Sequence, residues 1–208
     1  MTPGDVDRVD DVTLGARLLH GIPTNESRDA CALQLISRRA QEFGHRLADR
    51  DVPGPGTGPS HRVVERTGGL TREVPVLARF LHRSGTVELF TDSVAFCEDL
   101  VDRHGWRAWF PGGSVRAAAL LHEHAHHLLA GPHARELRVA VGVPALRIGR
   151  LVRWAHVAGA AELAAHAYAE RRLGLGRSPL LLTAAAADAL DTALDTTVAG
   201  KGARTWAS

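Results

Sequence analysis

The run His122-Glu123-His124-Ala125-His126 restricts this chain more than any other feature, because it imposes a secondary structure and a chemistry together. It lies in a stretch where Val115, Leu120, Leu121, Leu128 and Leu129 recur at helical spacing, and which stops at Gly131-Pro132. A glycine followed by proline ends a helix, since glycine adopts the capping conformation and proline cannot continue the hydrogen-bond ladder. The spacing predicts one helix from Ser114, placed to cap it, to Ala130. Residues four apart lie about 40° apart around a helix axis and one turn apart along it. Both imidazoles of an H-E-x-x-H match, His122 and His126, therefore reach one Zn²⁺ at about 2.0–2.1 Å. Glu123 leans to the same side without pointing at the ion. It is positioned to take a proton from coordinated water, whose pKa zinc lowers towards about 7.

Chance and burial both bear on this match. With 12 histidines in 208 residues, an accidental H-E-x-x-H is expected only about 0.03 times. The flanking Ala118-Ala119-Leu120-Leu121 and Leu128-Leu129 make the helix mostly buried, where unpaired histidines are costly. The competing expectation is a solvated histidine-rich face. His124 and His127 point away from the metal face, towards solvent or a satisfied place in the core.

A catalytic zinc takes a third protein ligand and leaves a position for water. The candidates after the helix are His133, Glu136, His156, Glu162, His166 and Glu170. Glu162 ranks first, because a bare carboxylate in an alanine-rich helix interior is expensive unless a cation compensates it. His133, behind the Gly-Pro stop, ranks second. Tyr168 is a candidate for stabilising an oxyanion, with core packing as the simpler role. Cys97 reads as an apolar filler.

Composition sets the class. Hydrophobic residues make up 45% and charged residues 23%, ordinary for a globular chain and too apolar for disorder. A net charge of +2 gives no nucleic-acid footprint, so no nucleic-acid partner is expected. The polar, acidic start and the absence of a long apolar run predict no signal peptide and no membrane partner. Two cysteines, Cys31 and Cys97, cannot form a dense disulfide framework. The expectation is a cytoplasmic protein, with no oligomeric state specified.

Along the chain, residues 1–25 read as loosely ordered. Residues 26–50 read as one amphipathic helix capped near Asn25 or Ser27. The Pro/Gly tract at 51–60 reads as a linker. Residues 74–82 and Thr86–Phe90 read as a hairpin about Arg83-Ser84-Gly85. A helix capped by Thr91 or Asp92 follows, ending near His104, and then a loop rich in Trp and Gly. Residues 146–173 read as the next periodic, helical stretch, and 183–198 as a last helix. The fold class is α+β, helix-dominated, with a small sheet packed on the H-E-x-x-H helix and on a following helix that bears Glu162. Residues 1–60 form an N-terminal segment, with one amphipathic helix and the linker. Residues 61–208 form the domain that holds the site.

The segments Ala119-Leu120-Leu121-His122-Glu123-His124-Ala125-His126-His127-Leu128-Leu129 and Glu162-Leu163-Ala164-Ala165-His166-Ala167-Tyr168-Ala169 together resemble the gluzincin pattern. They are most similar to minimal bacterial metallopeptidases of the ImmA/IrrE type and to the metallopeptidase domain of antirestriction proteins. The resemblance spans about residues 74–174. It implies a minimal zincin-like arrangement, with His122, His126 and Glu162 as zinc ligands and Glu123 as general base. It also implies that the strand near Thr86–Phe90 lines the cleft and pairs with an extended peptide. The chain departs from the pattern at His124, usually apolar or glycine, and at His166, where Asn or Asp is usual. The segment 131–161 is also longer than expected.

The expected function is zinc-dependent hydrolysis of a peptide bond in a peptide or protein substrate. The alternatives are a non-hydrolytic, metal-bound regulatory module, or a metal-dependent enzyme acting on a small molecule in biosynthesis.

Overall fold

A computed structural model describes residues 6–51, 61–71 and 75–202, with side chains through 190 and at 192. Helices α1 (Asp11–His20), α2 (Ala30–Arg50), α3 (Thr91–His104), α4 (Ser114–Ala130), α5 (Ala134–Val141), α6 (Ala160–Leu173) and α7 (Leu180–Gly202) dominate it. The strands are β1 (Arg62–Arg66), β2 (Ala78–Leu81), β3 (Thr86–Phe90), β4 (Pro144–Ile148) and β5 (Leu151–Trp154). The architecture is α+β, helix-dominated, with a small sheet.

The expected hairpin is present as β2 and β3, antiparallel with Phe80 opposite Val87. Its first residue, Val74, and the linker tract from 52 to 60 lie outside the described residues. The sheet has a third strand that local alternation does not reveal: β1 pairs parallel with β3, so the order is β1-β3-β2. β3 is thus the central strand with both edges paired, and among the described residues no strand pairs with the other edge of β2. A peptide cannot add to Thr86–Phe90, which corrects the expectation that this strand would receive it.

Several local expectations change. Residues 11–20 form a helix, because Asp10 accepts the Thr13 N–H at the cap and Leu14 and Leu19 are buried. Gly15 lies in this stretch, which reads as loosely ordered, and is where a side chain would collide with Ser37 Oγ at 2.2 Å. α2 is the expected amphipathic helix, but its cap is Asp29, which accepts the Ala32 N–H at 2.7 Å. At α3 the capping position is Phe90, and Asp92 instead accepts the N–H groups of Gly68 and Gly69. At α4 the cap is Gly113, with φ of +79°, and Ser114 makes no capping bond. The stretch from 146 divides into a β4–β5 hairpin and then α6, and α5 occupies the space before it.

The core is organised around α6, which packs against α2 on one side and α4 on another. Its Ala164, Ala165, Ala167 and Ala169 are fully buried, and small side chains let neighbouring backbones come close. The closest approach is at Gly44 of α2, where an added Cβ would stand 2.1 Å from the Ala164 carbonyl oxygen. Leu33, Ile36, Phe43 and Leu47 of α2 belong to the same buried cluster as Leu163 and Tyr168 of α6. Trp106 and Phe110 are likewise core residues.

Candidate metal centre and the groove beside it

α4 and α6 cross so that three side chains meet. His122 and His126, one turn apart on α4, bring their Nε2 atoms to 3.0 Å from each other. Glu162, in the first turn of α6, reaches across with both oxygens. Its Oε2 is 3.0 Å from His126 Nε2 and its Oε1 is 3.2 Å from His122 Nε2. Among the described residues, His122, His126 and Glu162 form the one group of three or more His, Cys, Asp or Glu side chains spaced to hold a metal ion. Two donors held about 2.1 Å from one tetrahedral ion stand roughly 3.4 Å apart. The observed spacings fall a few tenths of an ångström short of that, so the set fits zinc with little rearrangement. Two neutral nitrogens and one carboxylate are also the ligand chemistry zinc prefers.

The electrostatics follow from this crowding. Burial works against the Glu162 charge, but hydrogen bonds from His122 and His126, with His166 nearby, hold its carboxyl far below the usual range. The N-terminal position in α6 adds the favourable end of the helix dipole. His122 has its pKa lowered by burial and by the neighbouring His166. For His126 burial also lowers, yet the Glu162 hydrogen bond and charge prevail and the net shift is upward.

His166 is 7% exposed and its Nε2 lies 3.3 Å from Glu162 Oε1, with its ring centroid 4.4 Å from that of His122 and the planes inclined at 54°. Neither of its ring nitrogens attains hydrogen-bond geometry, and His122 Nδ1 also lacks a partner. His133 is committed elsewhere, to Glu136 at 3.2 Å, so it does not join the site. His45 pairs with Glu170. His156 is exposed and lines a separate hollow with Leu137 and Val157.

Glu123 sits at the join between two concavities. Its Oε2 accepts the Phe80 backbone N–H at 2.8 Å. Phe90 N–H donates to the Leu77 carbonyl, and antiparallel pairing alternates, so Ala78 and Phe80 direct their backbone groups to the free edge of β2. One concavity is a groove along this edge, reaching Phe80, His82, Glu123 and His127. The other is a chamber of about 250 Å³ that holds the three donors on one wall. Its remaining lining is largely apolar, with Val76, Val115, Ala118, Ala119 and Leu182. Cys97 also lines it, and burial pushes that thiol up to about 12.

A second polar cluster lies behind α4. Asp51 accepts the Tyr168 hydroxyl and, through the same Oδ2, faces His124 Nε2 at 3.2 Å. Arg172 donates to the Asp51 carbonyl. Tyr168 is therefore a buried residue of α6 whose hydroxyl is engaged by Asp51. The cluster joins residues 117 positions apart, and no local pattern signals it.

No family model, curated protein or solved structure matches this chain.

Proposed function

We propose that this chain is a zinc-dependent peptide-bond hydrolase with a zincin-like core, in which His122, His126 and Glu162 hold the ion. The observation that carries the proposal is the three-donor set itself. Structural zinc sites are closed by four protein ligands, whereas three ligands leave room for water and substrate. When bound, zinc polarises the scissile carbonyl and makes water a usable nucleophile at neutral pH.

The chain's own residues supply the rest. The free edge of β2 offers main-chain groups to an extended peptide. A peptide carbonyl that takes the Phe80 N–H displaces Glu123, whose carboxylate is then available to the attacking water. Glu123 takes that proton and returns it to the leaving amine nitrogen. The apolar chamber receives a substrate side chain beside the donors.

The Phe80 hydrogen bond also supports a second reading, a metal-bound regulatory module in which Glu123 serves only to pin β2 to α4. The experiment is zinc content of purified protein and of Glu162→Ala, with turnover of a mixed peptide library. About one zinc per chain, lost in the variant, together with cleavage supports the hydrolase. Zinc without cleavage of any peptide favours the module. No zinc after reconstitution overturns both.

A further inference from the structure

The segment between Gly131 and Ala161, which separates the two donor-bearing helices, concentrates positive charge. It carries Arg135, Arg138, Arg147, Arg150 and Arg153 against the single acid Glu136, a formal surplus of four. The whole chain has a net charge of only +2, so the rest sums to −2. Glu136 is itself paired with Arg50 and His133. Arg147, Arg150 and Arg153 make no ion pair with another described residue, and they stand on the β4–β5 ribbon.

That ribbon also concentrates exposed apolar surface. Every residue of β4 is exposed. Leu146, Ile148 and Leu151 are 54%, 64% and 77% exposed, the highest values among the large hydrophobic residues described. The register places Ile148 opposite Leu151 and Leu146 opposite Arg153, and side chains alternate along a strand. The three aliphatics therefore share one face, and exposure rises towards the Gly149-Arg150 turn. Two-stranded ribbons are marginal on their own in water, and an apolar cluster of this kind marks a contact surface.

The partner must satisfy cations and aliphatics together. Nucleic acid would meet the arginines but leave the aliphatics in water. A protein groove would cover a whole face, whereas here exposure is greatest at the tip. A lipid surface meets a tip end-on. Cations lie there beside phosphates, and the half-buried Trp154 at the ribbon's base suits the polar boundary. The outer edges of the two strands carry no further strand among the described residues, so entry is confined to the hydrated head-group region, where water meets those backbone groups.

We propose that the β4–β5 ribbon docks this protein on an anionic lipid bilayer, with Ile148 and Leu151 entering the head-group boundary and Arg147, Arg150 and Arg153 meeting lipid phosphates. This peripheral attachment departs from the expectation of no membrane partner, which rested on the lack of a spanning segment; no described helix is long and apolar enough to cross a membrane.

The test is flotation of the full-length protein with phosphatidylcholine vesicles, with and without about 30% phosphatidylglycerol. Binding to the anionic vesicles should be at least about tenfold tighter and should weaken with salt. Charge reversal at Arg147, Arg150 and Arg153 should abolish it. The pair Ile148→Ser and Leu151→Ser should lose about tenfold on anionic vesicles at low salt, which a purely electrostatic contact would not. These positions are exposed, and an unchanged melting temperature verifies folding. No binding to anionic vesicles overturns the proposal. So does binding indifferent to the serine pair, or arginine-dependent binding of duplex DNA without vesicle binding.

Discussion

Glu123 and Phe80 are tied by a hydrogen bond of 2.8 Å, in which the backbone N–H of the outer strand donates to the carboxylate proposed as the base. One contact thus joins the groove that would hold a peptide to the group that would activate water. A substrate strand and Glu123 compete for the same N–H.

Replacing Glu123 by Gln separates the two roles. The amide oxygen still accepts from Phe80, so fold and zinc content should persist, while peptide turnover falls by about 10²–10⁴. Elemental analysis and a peptide cleavage assay on the same preparation measure this. Full activity in the variant would eliminate Glu123 as base.

The apolar chamber gives a prediction about substrate size. Val115, Ala118 and Ala119 precede His122 on one face of α4, so their side chains set the chamber's depth next to the donors. Ala118→Phe should lower kcat/KM by roughly tenfold or more for peptides with Leu or Val beside the scissile bond. Peptides with Gly or Ala there should be spared, and zinc content unchanged. Equal losses for all peptides would show that the chamber does not receive a side chain.

Two glycines should respond in opposite directions. Gly44→Ala forces a Cβ to within 2.1 Å of the Ala164 carbonyl, and should destabilise the protein by about 1–3 kcal/mol or more. Zinc affinity should fall with it, because α6 carries Glu162. Gly21 has φ of −68° and ordinary space around a new Cβ, so Gly21→Ala should be neutral or stabilising by up to about 1 kcal/mol. Thermal melts with and without zinc distinguish the two.

Asp51 predicts an acid-side effect. Burial raises its pKa, but hydrogen bonds from Tyr168 and His124 outweigh this and leave it lowered. A carboxyl lowered by folding contributes stability above its unfolded value of about 3.9, and that contribution disappears as pH falls through the folded value. The stability difference between wild type and Asp51→Asn should therefore be largest near neutrality and shrink below about pH 4. A difference independent of pH would show that the Asp51 charge is not what matters.

What the sequence discloses follows the range of the interactions involved. α4 and its donors are legible because a four-residue spacing and a Gly-Pro stop are local facts. Glu162 was reachable by asking what could compensate a carboxylate among alanines. The β1–β3 pairing is not legible, since Arg62–Arg66 are mostly exposed and their partner lies beyond the hairpin. The ribbon from 146 onwards reads as helix because Ile148, Leu151, Val152 and Ala155 also fit a 3.6-residue period. Its Gly149-Arg150 turn, with φ of +57° at Gly149, decides the matter. Helix α1 is hidden by Gly15, whose purpose is a close approach to Ser37 and not a break. The Asp51–Tyr168–His124 cluster depends on three distant segments and leaves no periodic trace.

The crossing of α2 over α6 decides how small a working version of this protein can be. Glu162 reaches the two histidines from a helix whose other side rests, backbone against backbone, on residues that precede the Pro/Gly tract. The stretch from 61 onwards contains every donor of the proposed site and the proposed base, yet it lacks the surface against which one donor is braced. Excised at the tract, it should lose the ion before it loses its helices.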